Sequence, residues 1–129
     1  MLENEFLIKE INRMQDILGY DKITKLQDNW KIFYELDKNQ VKAFVILFMY
    51  TRLPCNPDYN TGKIAEIEIF TFPEYRHKGI CKKLVRQAIK FAKENEIDIV
   101  ADCRPAGYNL LKSMDFIDST EKRCWIKLS

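Results

Sequence analysis

The stretch Phe70-Thr71-Phe72-Pro73-Glu74-Tyr75-Arg76-His77-Lys78-Gly79-Ile80-Cys81-Lys82-Lys83-Leu84 decides how the chain is read. Upstream of it, Ile64, Ile67, Ile69 and Phe70 give residues 63–72 the character of a strand. Pro73 stops that strand, because proline cannot donate to a central ladder. Downstream, Cys81, Leu84, Val85, Ala88, Phe91 and Ala92 make one apolar stripe at helical spacing. Lys82, Lys83, Arg86, Lys90 and Lys93 decorate the opposite side, so residues 79–95 are predicted to form an amphipathic helix. Between strand and helix lies a basic turn that holds one glycine. The first amides of a helix lack partners within it and stand at the positive end of its dipole. A glycine there lets an anion approach the backbone, and Arg76, Lys78, Lys82 and Lys83 add charge around it. The physical expectation is a phosphate cradle, most naturally for a diphosphate.

Working outward, the rest of the chain supplies a small mixed fold. Leu7, Ile11, Met14 and Leu18 recur at helical spacing over residues 4–18, and Gly19 follows as a stop. Residues 30–36 alternate, with Trp30, Ile32 and Tyr34 on one face. Asp37 to Gln40 reads as a turn into residues 41–50, whose near-continuous apolarity predicts a strand covered on both faces. Residues 52–62 read as a loop, 97–101 as a strand, 106–114 as a short helix and 123–128 as a last strand. Trp30, Phe33, Phe44, Phe48 and Phe91 are assigned to the core by default. With 129 residues, the chain is expected to be one domain, 1–129, of the α/β or α+β class.

Composition narrows the function. Lys plus Arg number 21 against 19 Asp plus Glu, a net charge of +2, too balanced for a surface that tracks nucleic acid or a membrane. A nucleic-acid partner on the lysine face of the 79–95 helix is a weaker alternative that salt dependence would test. The longest apolar run, Ala43 to Tyr50, is eight residues, too short to span a bilayer. The N-terminal residues lack the pattern of a secretory signal, and the four cysteines form no Cys-x-x-Cys pair. With one histidine, no metal site is expected, and a cytoplasmic location with free thiols is. Gly62-Lys63 is followed by Ile64 and position 57 is Pro57, which removes a Walker-type loop; a Rossmann turn would need three glycines where only Gly79 stands.

At Pro73-Glu74-Tyr75-Arg76-His77-Lys78-Gly79-Ile80-Cys81 the sequence resembles the acetyl-CoA signature of the GCN5-related N-acetyltransferase (GNAT) superfamily, Arg/Gln-x-x-Gly-x-Gly/Ala after a strand. Residues 110–116 resemble the family's second motif, and the order of elements from Trp30 to Leu128 is similar. The resemblance implies a mixed, mostly antiparallel sheet flanked by helices, here without the usual first strand. It implies acetyl-CoA as co-substrate, with the main chain of Phe70, Thr71 and Phe72 pairing with the pantetheine arm. The amides of Arg76, His77, Lys78, Gly79, Ile80, Cys81 and Lys82 would hold the pyrophosphate, and the acetyl group would pass directly to an amine without a metal. Cys81 replaces the last Gly/Ala of the signature, Leu111 stands where the second motif carries tyrosine, and Asp115 replaces its glycine.

Acyl transfer to an amine needs a base for the ammonium proton and a donor to the leaving thiolate. Alternation puts Glu66 and Glu68 on one strand face, where mutual repulsion could raise one pKa; pairing with nearby lysines or solvent is the competing reading. Tyr108, one helical turn before Leu111, is the candidate acid or else a packing residue. Asn109 is a candidate partner of pantetheine or a surface residue. Cys103 near the thioester invites an acyl-enzyme, but with no histidine nearby it reads better as a small buried hydrophobe. His77 reads as a solvated donor rather than a base, and Asp58 and Tyr59 could greet a cationic amine. Two functions stand at this point: an N-acetyltransferase, or an acyl-CoA-binding or interaction module of the same fold without turnover. A homodimer through an uncovered sheet edge is a further expectation.

Overall fold

The computed structural model describes residues 2–50, 64–102, 105–114, 116–118 and 125–128. Helix α1 (Leu2–Leu18) is followed by strands β1 (Trp30–Asp37), β2 (Gln40–Tyr50) and β3 (Ile64–Thr71). A 3-10 turn (Pro73–Tyr75) then leads into helix α2 (Ile80–Glu94), strand β4 (Asp98–Asp102), helix α3 (Pro105–Lys112) and strands β5 (Phe116–Asp118) and β6 (Trp125–Leu128). The six strands form one sheet in the order β1-β2-β3-β4-β6-β5. Only the β3–β4 pair is parallel among the ladders described; the others are antiparallel. The expected mixed, mostly antiparallel sheet flanked by helices is therefore what the chain forms. Among the described residues no strand precedes β1, which lies at the edge of the sheet.

The continuous apolarity of β2 has the predicted cause. Ala43, Val45 and Leu47 face α2, where they pack with Leu84, Val85, Ala88 and Ala92. Phe44 and Ile46 face the other way, onto Leu7, Ile11 and Met14 of α1. Both sheet faces are thus covered over β2, and each fully buried Leu or Val side chain contributes roughly 1.5–3 kcal/mol of transfer free energy. Phe44 is fully buried as expected, while Trp30, Phe33, Phe48 and Phe91 are only half-buried.

Three details differ from the sequence reading. The β1–β2 turn is tighter than expected: Asp37 pairs with Gln40, and only Lys38 and Asn39 turn, with Lys38 at φ 57°. The three-residue β5 carries too little periodicity to be read, and the proline that ends β3 also starts a 3-10 turn. The loop at 52–62 with Asp58 and Tyr59, and also Cys103 and Asp115, lie outside the described residues.

Candidate active site

The site follows from where the β3–β4 ladder stops. Its register runs Ile64↔Asp98, Ala65↔Ile99 and Glu66↔Val100. Beyond it β3 continues to Thr71 beside β2, whereas Val100, Ala101 and Asp102 of β4 pair with β6. The sheet therefore opens along Ile67–Thr71. The Phe72 N–H donates to the Lys42 carbonyl at 2.9 Å, so at this parity β3 spends its amides and carbonyls on β2. Alternation then turns the main-chain groups of Ile67, Ile69 and Thr71 into the opening. Arg76 agrees, since its Nε donates to the Thr71 carbonyl at 3.0 Å.

This refines the expected pantetheine ladder. Thr71 presents its main chain to the opening, but the main-chain groups of Phe70 and Phe72 face β2. The Phe72 ring is fully buried, edge-to-face on Phe70 at 4.9 Å and beneath the Arg13 guanidinium at 3.6 Å. The positions whose main chain faces the opening are Ile67, Ile69 and Thr71, the last with its carbonyl already accepting from Arg76. Sequence periodicity cannot find them, because it shows which way side chains point but not which edge a strand leaves unpaired.

At the mouth of the opening the chain turns into α2. Arg76, His77, Lys78 and Gly79 are all exposed, and two of them take left-handed conformations: His77 at φ 65° and Gly79 at φ 74°. Gly79 is the N-cap of α2 and supplies no side-chain cap. The Lys83 N–H reaches back to the Gly79 carbonyl at 3.4 Å, so the amides of Ile80, Cys81 and Lys82 fall in the turn that precedes the first intrahelical bond. A Cβ at Gly79 would meet nothing within 4 Å. The glycine is therefore required by the backbone angle, and it leaves open space in front of the helix.

The side chains around the turn divide by role. Lys82 is exposed. Lys83, also exposed, is committed elsewhere, its Nζ lying 3.2 Å from Glu35 of β1. Cys81 does not intrude on the cradle as its larger size suggested. Its Sγ lies 2.6 Å from the Thr71 hydroxyl, tucked between helix and sheet. Burial pushes the Cys81 thiol up from its ordinary pKa, and the Thr71 hydroxyl partly opposes that shift. Cys81 is thus a neutral packing thiol at neutral pH. Lys42 stands 5.9 Å from the Tyr75 ring, whose hydroxyl donates to Asp37 at 2.8 Å and is held above its ordinary pKa chiefly by that bond.

Glu66 and Glu68 share the α1 face of β3, as alternation predicts, and both are half-buried. Glu66 sits at the last rung of the β3–β4 ladder, and Glu68 lies in the open stretch beyond it. On α3, Asn109 is exposed and Leu111 is buried at 1% exposure in the α2-side core. Tyr108 falls in α3, and its side chain is outside the described residues.

A sheet that parts beside a glycine-led helix start offers free main-chain groups and a helix N-terminus suited to an anion side by side. Comparison with known proteins fixes the family. A profile of the Acetyltransferase (GNAT) family matches residues 5–116, and the chain belongs to that family. Among solved structures, a predicted acetyltransferase of Clostridium acetobutylicum, solved with acetyl-CoA, is 19% identical at a TM-score of 0.65, covering 93% of this chain and 87% of its own. An aminoglycoside acetyltransferase from an uncultured soil metagenomic sample is 15% identical at a TM-score of 0.60, covering 84% and 76%. The PaiA N-acetyltransferase of Thermoplasma acidophilum, in complex with coenzyme A, is 18% identical at a TM-score of 0.57, covering 95% and 69%. No curated protein matches the chain.

Proposed function

We propose that residues 1–129 act as one cytoplasmic domain that transfers the acetyl group of acetyl-CoA directly to a primary amine. The observation that carries this reading is the β3–β4 opening that ends at the Gly79 turn. The amides of Ile80, Cys81 and Lys82 would take the diphosphate, with Arg76, His77, Lys78 and Lys82 around it. The main chain of Ile69 and Thr71 would pair with the pantetheine arm. From Thr71 back to Ile67 is about 13 Å at about 3.3 Å per residue, which brings the thioester to the level of Glu68.

Glu68, acting through water, takes the ammonium proton as the amine nitrogen attacks the thioester carbonyl. The C–N bond forms, the C–S bond breaks, and the CoA thiolate leaves with a proton, for which Tyr108 is the candidate donor. Asn109, exposed on α3, is the candidate side-chain partner of pantetheine. The β1 edge is where a second copy of the chain would pair. Acetyl-CoA at sub-millimolar concentration should raise the melting temperature, and thiol release should follow on adding an amine. No shift at millimolar acetyl-CoA overturns the reading.

A second reading draws on Leu111. It fills the position of the second motif's tyrosine and is core, so it offers no proton. A module that binds acyl-CoA without turnover would show the melting shift but no thiol release across a panel of amines.

A further inference from the structure

We infer that two copies of this chain pair through the free edge of β1, antiparallel about a two-fold axis at Phe33, with Lys31 of each copy facing Glu35 of the other. The inference rests on the β1 pairing named above, to which it gives a register, and is independent of acetyl transfer.

Each main-chain group of β1 has a direction that its neighbours fix. One step before Trp30↔Phe48, the Asn29 carbonyl accepts the Met49 N–H at 2.8 Å. By alternation Lys31, Phe33 and Glu35 also spend their main-chain groups on β2, while those of Ile32 and Tyr34 point outward. The other side of β2 agrees. Lys42 accepts from Phe72, so Phe44 and Ile46, opposite Tyr34 and Ile32, give their main-chain groups to β3. Among the described residues no strand takes the outward groups, because β1 ends the sheet.

An edge that stays solitary is short, broken by proline or a bulge, or guarded by charge. β1 has eight residues, no proline, and half-buried Ile32, Phe33 and Tyr34 along its middle. The irregularity at Glu35/Leu36 adds its extra residue, Lys42, to β2, so the edge strand itself runs unbroken. Lys31 lies over the Phe33 and Phe91 rings at 5.8 and 5.2 Å, on the α2 face of the sheet.

The sequence of β1 then selects one register. Centring the axis on Lys31 or on Glu35 opposes like charges. Centring on Ile32 sets Lys31 against Phe33, and centring on Tyr34 sets Glu35 against Phe33. Centring on Phe33 instead lays Ile32 against Tyr34 twice, each a pair whose outward groups exchange N–H···O bonds. The two Phe33 side chains then meet at a non-hydrogen-bonded position, with Cα atoms about 4.5 Å apart, and Lys31 stands opposite Glu35 on both sides of them. Aromatic and opposite-charge pairs are the favourable cross-strand combinations. Lys31 is exposed, and the Glu35 side chain keeps 30% of its surface exposed beside Lys83, so both can reach across. A strand that matches its own reverse is what an isologous contact requires, which makes the occupant a second copy.

Sedimentation equilibrium of the full chain, in a series rising to about 100 μM, should return a mass that climbs to that of two copies. Lys31→Glu and Glu35→Lys should each weaken the dimer at least tenfold, because each sets like charges opposite one another at both ends of the pairing. Mixed together, the two variants should recover the wild-type affinity, since positions 31 and 35 then carry opposite charges across both contacts. Ile32→Pro removes an N–H that faces outward, so it should give a folded single chain by circular dichroism. A single-chain mass for the wild type at the highest concentration, as an edge left to solvent or to a foreign strand requires, overturns the inference without any variant. So does a dimer that the folded charge variants leave intact, or that their mixture fails to restore. The melting shift with acetyl-CoA is measured apart from these masses, so acetyl transfer can stand while the pairing falls, and the reverse.

Discussion

Replacing Arg13 with leucine removes the cationic partner of a carboxylate that has almost no contact with water. Glu10 is 2% exposed, and one of its oxygens, Oε1, accepts from both the Val41 N–H at 2.7 Å and Arg13 Nη2 at 3.0 Å. Arg13 also donates to the Val41 carbonyl at 2.9 Å and lies 3.6 Å above the Phe72 ring. The two partners are not equally buried: the side chain of Arg13 is 29% exposed and that of Glu10 only 3%. Arg13→Leu therefore strands a buried charge, which costs about 3–5 kcal/mol. Glu10→Gln leaves an oxygen that can still accept from Val41, and the exposed part of Arg13 can take up water, so that loss is about 1–1.5 kcal/mol. For a chain of 129 residues, at about 3–5 °C per kcal/mol, Arg13→Leu lowers the melting temperature by roughly 9–25 °C and Glu10→Gln by roughly 3–8 °C. Urea and thermal melts followed by circular dichroism measure both. If Glu10→Gln proves as damaging as Arg13→Leu, the asymmetry argued from burial is wrong.

Gly79 and Cys81 give two further tests. At φ 74° with open space at its Cβ, Gly79→Ala should cost about 1–2 kcal/mol of stability, from backbone strain alone. If the proposed cradle holds the diphosphate, that Cβ also stands in its path and acetyl-CoA affinity should fall more than tenfold by calorimetry; unchanged affinity would leave the glycine a purely conformational role. Burial raises the pKa of Cys81, so on alkalisation the unfolded chain gives up this proton first. Its stabilising contribution is whole below about pH 8.5, the ordinary thiol value, and is lost as pH climbs through the raised folded pKa. Cys81→Ala should flatten the decline of stability between about pH 8 and 10, and superimposable pH slopes for the two proteins would contradict the assignment.

The parts of the site legible in the sequence are those fixed by local chemistry. Helix α2 was readable because Leu84, Val85, Ala88 and Ala92 recur on one side among lysines, and those four are its buried residues. Gly79 was readable because a helix start among basic residues admits few explanations. Alternation placed Glu66 and Glu68 on one face, and the β2–β3 register keeps them there. What could not be read depends on partners far along the chain. Where β4 leaves β3 is set by its pairing with β6, and that decides that Ile69 and Thr71, rather than Phe70 and Phe72, present main-chain groups to the opening. The commitment of Lys83 to Glu35 needs β1 to lie beside α2, which no spacing within 70–84 reveals. Cys81 was expected beside an anion, but a residue in the first turn of a helix packed on a sheet can equally turn inward, as its contact with Thr71 shows.

Arg13 joins the two halves of this arrangement. The cradle begins at Phe72, whose carbonyl accepts the Tyr75 N–H to start the 3-10 turn leading to Gly79. The face that holds Glu66 and Glu68 is bounded by α1, and Arg13 belongs to α1 while stacking on Phe72. Its hydrogen bond to the Val41 carbonyl ties the same side chain to β2, one residue from Lys42, whose carbonyl takes the Phe72 N–H. A shift of α1 would therefore move Phe72 through packed contacts rather than through a loop, and interiors packed at this density transmit such displacements. It follows that the Gly79 turn and the sheet face carrying Glu66 and Glu68 are not independently adjustable. Loosening Arg13 should weaken acetyl-CoA binding even though Arg13 lies on the opposite face of the sheet from α2.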